Sequence, residues 1–297
     1  MTLPSTGAIS FANLNTEFGN SAGTTISLND ALTRNVAAAG NTGIQTSSGT
    51  YINLGALRGH AYGTYQTNGT VTNVNVTTYM SSAGHYAPGQ TYGVINIGSS
   101  GVVGSTSAGS YAMTIQGTNG DIFNLQNAGY IVGIGGNGGA GGNGVYGSFG
   151  VNNGSPGTTG GPALLVQGQT SFLSINNSNT IGSGGSGGGG GYGTGVGQGG
   201  QSQSSKIQAA GGGGGGGGAG YVSGTGAPNG YTFWGASAGQ NGSLTSGGAG
   251  GSSYYGAAYG QAGGSLGQAG SYGTGNAISG ISYVQGSIGG NVLGPTS

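Results

Sequence analysis

The sequence predicts a mainly β protein that carries a bundle of polyglycine-II helices and little α-helix. Three observations predict it. Glycine supplies 80 of the 297 residues, where a typical chain has about 7%. The glycine tracts repeat every three residues, the period of a polyproline-II-type helix. Between them lie short runs of alternating apolar and polar residues bounded by Gly, Ser and Asn, as half-buried strands require.

Residues 1–60 form the first unit and hold four of the six charges. They contain a short repeat: Ile9-Ser10-Phe11-Ala12-Asn13-Leu14, Ile26-Ser27-Leu28-Asn29-Asp30-Ala31 and Ile52-Asn53-Leu54-Gly55-Ala56-Leu57. Each copy begins with a strand-like Ile-polar-apolar triplet. Ser10, Ser27 and Asn53 then stand where an N-cap of one helical turn belongs. Units this short need a larger body to dock on, either as a cap of this chain or as an attachment peptide for a neighbour.

Residues 61–132 read as a β-rich domain. Val71, Val74, Val76, Ile95, Ile97, Val102, Val103, Ile115 and Ile122 fall in short alternating runs. A second repeat links this domain to the glycine tracts. Ala112–Gly117 (AMTIQG) resembles Ala163–Gly168 (ALLVQG), and Leu125, Asn127 and Ile131 match Ile175, Asn177 and Ile181 after one residue of slip. The unit reads strand, strand, Asn turn, strand, glycine helix, and two copies suggest layered stacking.

Residues 133–275 form the glycine-rich bundle. The tracts 133–144, 182–200, 211–220 and 247–275 include GIGGNGGAGGNG, with Ile134, Asn137, Ala140 and Asn143 three apart. A polyglycine-II helix bonds none of its own backbone groups, so they must be satisfied by neighbours. Glycine at two of every three positions lets such helices approach and exchange hydrogen bonds. Each bond is worth about 0.5–1.5 kcal/mol net, and glycine loses much entropy on ordering, so many strands are needed. Residues 276–297 supply a closing strand at Ala277–Val284 and a tail.

Two rivals share the glycine signature. A disordered chain is rich in charge and poor in apolar residues, whereas this one is 33% hydrophobic, 2% charged and has 17 tyrosines. Collagen needs a long unbroken period, and here the period is broken and prolines number 6.

Scarcity of charge excludes most chemistry. The basic residues are Arg34, Arg58 and Lys206, the acidic ones Glu17, Asp30 and Asp121, and the histidines His60 and His85. No basic cluster exists to neutralise phosphates, so nucleic acid is not an expected partner. A hydrolytic triad needs a base and an orienting acid beside its serine, and neither histidine has a motif around it. A glycosidase needs two carboxylates about 5–9 Å apart, but only Asp121 lies outside the first 60 residues. Calcium β-rolls carry aspartate in each repeat, and the glycine tracts have none. Lys206 follows two serines and makes no phosphate loop. No catalytic residue, metal site or cofactor is expected. No apolar stretch nears the about 18 residues that span a bilayer, and residues 1–5 do not read as a signal peptide.

The opening LPSTGAISFANLNTEFG, with ISLNDALTRN and INLGALRG, resembles the N-terminal region of tail and tail-fibre proteins of tailed phages. The ending TGNAISGISYVQGSIGGNVLGPTS resembles the C-terminus of their glycine-rich tail proteins. The middle is similar in layout to the adhesins at the tips of T-even-type long tail fibres. That resemblance implies a polyglycine-helix sandwich whose variable loops bind a host receptor, on a virion tail. It also implies attachment to other tail proteins through residues 1–60.

If the layout carries over, the receptor loops are the aromatic interruptions between glycine runs. The expected contact residues are Tyr192, Tyr221, Tyr231, Phe233, Trp234, Tyr254, Tyr255 and Tyr259, with Tyr146–Phe149 as a further interruption. Tyrosine gives a large amphipathic contact at low entropy cost, which is why paratopes use it. The expected partner is a host glycan or outer-membrane protein, and self-association is left open. A purely structural fibre or decoration protein is the alternative, in which these rings only pack. An ice-binding protein would need a regular threonine face, which is missing.

Overall fold

The computed structural model describes residues 2–21, 23–41, 52–143, 150–169, 172–195, 214, 217–230, 236–253, 257–268 and 275–297. The N-terminal segment contributes α1 (Phe11–Glu17), α2 (Ala31–Ala38) and a 3-10 turn at Leu54–Leu57. Ser10 caps α1 in a reciprocal pair with Asn13, and Asn53 caps the 3-10 turn through Ala56 N–H. These short elements are held by burial: Leu3, Leu14, Val36 and Leu57 pack on Tyr62, Tyr92, Val94 and Ile122 of the first sheet.

The body is a parallel β-solenoid with three faces. Its first turn is β1 (Ala61–Thr67), β2 (Thr70–Thr72) and β3 (Val74–Asn75), closed below by α3 (Val76–Ser82). The second turn is β4 (Thr91–Ile97), β5 (Val102–Gly104) and β6 (Met113–Gln116). The third begins with β7 (Ile122–Asn127) and β8 (Tyr130–Val132), detours through β9 (Gly150–Asn152) and returns in β10 (Leu164–Gln167). The fourth, β11 (Leu173–Asn177) and β12 (Thr180–Gly182), detours through β13 (Gly193–Gly195) before β14 (Ile278–Ser279). β15 (Val284–Gln285) and β16 (Asn291–Leu293) begin a fifth turn, which Thr296 completes by bridging to Ile278. The sheets are therefore β1-β4-β7-β11-β15, β16-β12-β8-β5-β2 and β14-β10-β6-β3, every pair parallel.

Alternation decides what lies inside. Ile95, Leu125 and Ile175 of the first sheet, Val103, Ile131 and Ile181 of the second and Met113, Ile115 and Leu164 of the third share one buried core. The sequence repeat is this stacking seen in one dimension. Leu164 pairs with Met113, Ile175 with Leu125, Asn177 with Asn127 and Ile181 with Ile131. The slip falls in the corner before β7, where Asp121 accepts from Thr118 N–H at 2.7 Å and Gly120 takes φ +102°.

Both detours leave from the corner between the second and third sheets. They consist of eight glycine-rich segments: g1 (133–143), g2 (153–161), g3 (182–192), g4 (214 and 217–220), g5 (222–230), g6 (236–243), g7 (245–253) and g8 (257–267). Backbone bonds between them recur every third residue. Gly133, Gly136, Gly139 and Gly142 N–H donate to Gly182, Gly185, Gly188 and Gly191 O. Ala258, Gln261, Gly264 and Gly267 donate antiparallel to Tyr192, Gly189, Ser186 and Ser183. The interval matches the repeat of the helix type expected from the sequence. Close approach explains the glycines: a Cβ on Gly187 would lie 1.8 Å from Asn137 O, and one on Gly217 1.8 Å from Gly224 O.

The structure departs from the sequence reading at several points. Ser27 does not cap a helix; α2 starts after Asp30, and Ser27 opens the preceding turn by accepting from Asn29 N–H. None of the three Ile triplets is a strand. Val76 continues the alternation of Val74 in sequence yet begins α3, because Asn75 caps Thr78 N–H there. Ala277–Val284 is not one strand: Gly280, at φ +82°, turns the chain between β14 and β15. The strands β10, β11 and β12 lie within residues 133–275 but belong to the solenoid.

Candidate functional site

Segments g1 to g8 run alternately away from and toward the solenoid, so their described end residues fall in two groups. At the near end, Tyr221 and Leu244 in the g4–g5 and g6–g7 turns, with Leu266, pack on Val102, Tyr130 and Val132 of the second sheet. Ten residues of g1 at about 3.1 Å each place the far end about 30 Å away. The described residues flanking the other four connections meet there. Gly142 bonds Gly191 O, Gly141 bonds Pro228 O, Ala258 bonds Tyr192 O, and Ser237 bonds Ser252 O. β9 and β13 form an antiparallel pair at the same end.

Tyr192 and Tyr259 stand at this far end, 42% and 69% exposed. Their segments touch there through the bond from Ala258 N–H to Tyr192 O. Burial normally claims large aromatic side chains, and these two tyrosines on adjacent segments escape it. Tyr221 is placed differently. It lies at the near end, half-buried, with its ring over Gly104, where a Cβ would sit 1.9 Å from the ring. Tyr231, Phe233, Trp234, Tyr254 and Tyr255, and the Tyr146–Phe149 interruption, lie outside the described residues. The sequence did carry a signal for the position of Tyr221: segments of similar length joined by tight turns reverse direction, so alternate connections share an end.

Asp121, Glu17 and the two histidines are engaged in contacts that hold the fold. Asp121 accepts from Thr118 and Thr91 N–H and from the Tyr86 hydroxyl. Burial raises its carboxyl above the ordinary range against those bonds, and burial pushes Tyr86 up to about 12. Glu17 is raised by burial too, while accepting from Tyr62 N–H at 2.8 Å. His60 is buried with its ring nitrogens facing Ala39 O at 2.6 Å and Arg58 O at 3.0 Å; His85 lies 3.7 Å from Glu17. Each of these contacts ties the N-terminal segment or a solenoid corner in place. Among the described residues no three His, Cys, Asp or Glu side chains gather as a metal site, and no helix is long and apolar enough to cross a membrane.

The family described as phage tail fibre adhesin Gp38 matches residues 62–295. Among solved structures, the gp37-gp38 adhesin tip complex of the bacteriophage S16 long tail fibre contains a similar chain. The two are 22% identical, with a TM-score of 0.46 over 88% of this chain and 94% of that one. No curated protein sequence matches.

Proposed function

The chain belongs to the phage tail fibre adhesin family, and from that premise we propose that it binds the host surface through the far end of its glycine-rich bundle. It is a component of the virion tail, and its family has a structural, non-enzymatic role. The observation that carries the proposal is the meeting of the described residues that flank four connections, with exposed Tyr192 and Tyr259, at the end remote from the solenoid. A receptor is met first by the part that projects farthest. Loops on a rigid scaffold can also vary without disturbing it.

In this reading segments g1 to g8 are polyglycine-II helices whose mutual bonds make the scaffold stiff. Tyr192 and Tyr259, with Tyr231, Phe233, Trp234, Tyr254 and Tyr255 of the connecting loops, supply uncharged aromatic contact to a glycan or an outer-membrane protein. Tyr221 serves the junction instead. The opposite part of the molecule, residues 1–60 on the first sheet, attaches to neighbouring tail fibre proteins.

Binding of the purified chain to intact host cells tests this. A Tyr192→Ala, Tyr259→Ala, Trp234→Ala variant should keep its unfolding midpoint and lose binding by at least about tenfold. Tyr221→Ala should instead lower stability and leave binding intact. A folded parent chain that fails to bind cells its phage infects would favour the purely structural reading.

A further inference from the structure

Two columns of amide side chains cross the outer faces of the solenoid, and they differ. On the third sheet Asn75 donates to Gln116 Oε1 at 3.3 Å and Gln116 donates to Gln167 Oε1 at 2.9 Å, so every link is made. On the first sheet Gln66, Asn96, Gln126 and Asn176 are register neighbours on β1, β4, β7 and β11. There the links run from Asn176 to Gln126 Oε1 at 3.0 Å and from Gln126 sideways to Asn124 Oδ1 at 2.9 Å. The column breaks at Asn96. At the break lies a shallow cavity of about 220 Å³, lined by Gln66, Asn68, Asn96, Gln126, Asn176 and Ser178.

We propose that this cavity is a second ligand site, which takes a ring of a neutral glycan. An amide offers a carbonyl acceptor and two N–H donors side by side, the complement of the paired hydroxyls of a sugar. Neighbouring strands set those amides about 4.8 Å apart, so hydroxyls on alternate carbons of one ring, set wider than vicinal ones, meet neighbouring side chains. No ionisable group lines the cavity, which disfavours phosphates and acidic sugars. Its one large aliphatic lining residue, Ile97, is 1% exposed and turned into the core, so the cavity presents no apolar anchor of the kind protein partners need. The volume is below the about 300–1,000 Å³ of drug-sized pockets and suits one ring. The N-terminal segment covers Tyr62, Tyr92 and Val94 on the same face but stops short of this column.

The site lies on the solenoid and stands or falls apart from the far-end reading. The experiment is saturation-transfer NMR and titration of the full chain with neutral gluco-, galacto- and manno-oligosaccharides. Asn96→Ala with Gln126→Ala, and separately Gln66→Ala, should weaken binding by about tenfold or more with the unfolding midpoint unchanged. Gln167→Ala in the closed column should leave it unaltered. Absence of transfer to all three glycans, binding confined to an anionic glycan, or binding that persists in both cavity variants would overturn the proposal.

Discussion

Asn127 and Asn177 show how single side chains hold the solenoid corners. Both are buried, Asn127 donating to Asn177 Oδ1 at 2.7 Å and to Thr180 O, while Asn177 donates to Gly289 O and Asn291 O of the following turn. One asparagine thus ties three successive turns at the corner between the first two sheets. Removing it takes the Oδ1 acceptor from the buried Asn127 amide and the donor from Gly289 O and Asn291 O, a loss of about 1–3 kcal/mol. Asn177→Ala should therefore cost about 2 kcal/mol in denaturant unfolding, whereas exposed Asn176→Ala should change stability by less than about 0.5 kcal/mol. Equal effects would mean the corner bonds are replaced by water. The match of Asn127 to Asn177 was legible in sequence; their contact was not, since it needs the fifty-residue excursion to close.

The glycine segments are informative at the scale of the element, because glycine stands where a neighbouring backbone passes closest. Segment g2, with glycine at 154, 157, 160 and 161, bonds g1 on one side and g3 on the other and leaves Thr159 exposed. Segment g3, almost continuous glycine, bonds g1, g2, g4 and g8. Wherever a neighbouring backbone passes, a side chain has no room. Gly214→Val with Gly217→Val should abolish folding: their Cβ atoms would lie 2.0 Å from Ala227 O and 1.8 Å from Gly224 O. Thr159→Ala should leave the unfolding midpoint within about 0.5 kcal/mol of the parent. Soluble, thermally unaltered protein from the double valine variant would make g4 a linker rather than a packed segment. The helix ends were less legible. Ser10 and Asn53 cap as their sequence context predicts, but Ser27 does not, because Asp30 Oδ2 takes up Ser27 N–H and delays the helix.

For the whole molecule, scarcity of charge fixes the response to pH. Burial raises Asp121 and Glu17 above their ordinary values. A carboxyl raised on folding contributes stability fully below its unfolded pKa of about 4, and that contribution is lost as pH rises through the folded value. Acidification from about pH 7 to about pH 4 should therefore hold or raise the thermal midpoint through these groups. Asp121→Asn should flatten the profile while lowering stability throughout. A midpoint that falls steadily with acid in the parent chain would contradict this assignment.

The sequence by itself determined the broad element types: alternation gives most of the strands, and period three gives the glycine segments. It also marked the stacked units, since one pair of turns repeats the same inward residues. Only the tertiary structure decided that the strands at 164–182 and 278–293 rejoin the sheets begun at 61, so that bundle and solenoid interleave along the chain. Only it separated Tyr192 and Tyr259 from Tyr221. The reason is physical. Periodicity is a local property of the chain, whereas sheet order and the choice of bundle end depend on which distant backbones satisfy one another's hydrogen bonds.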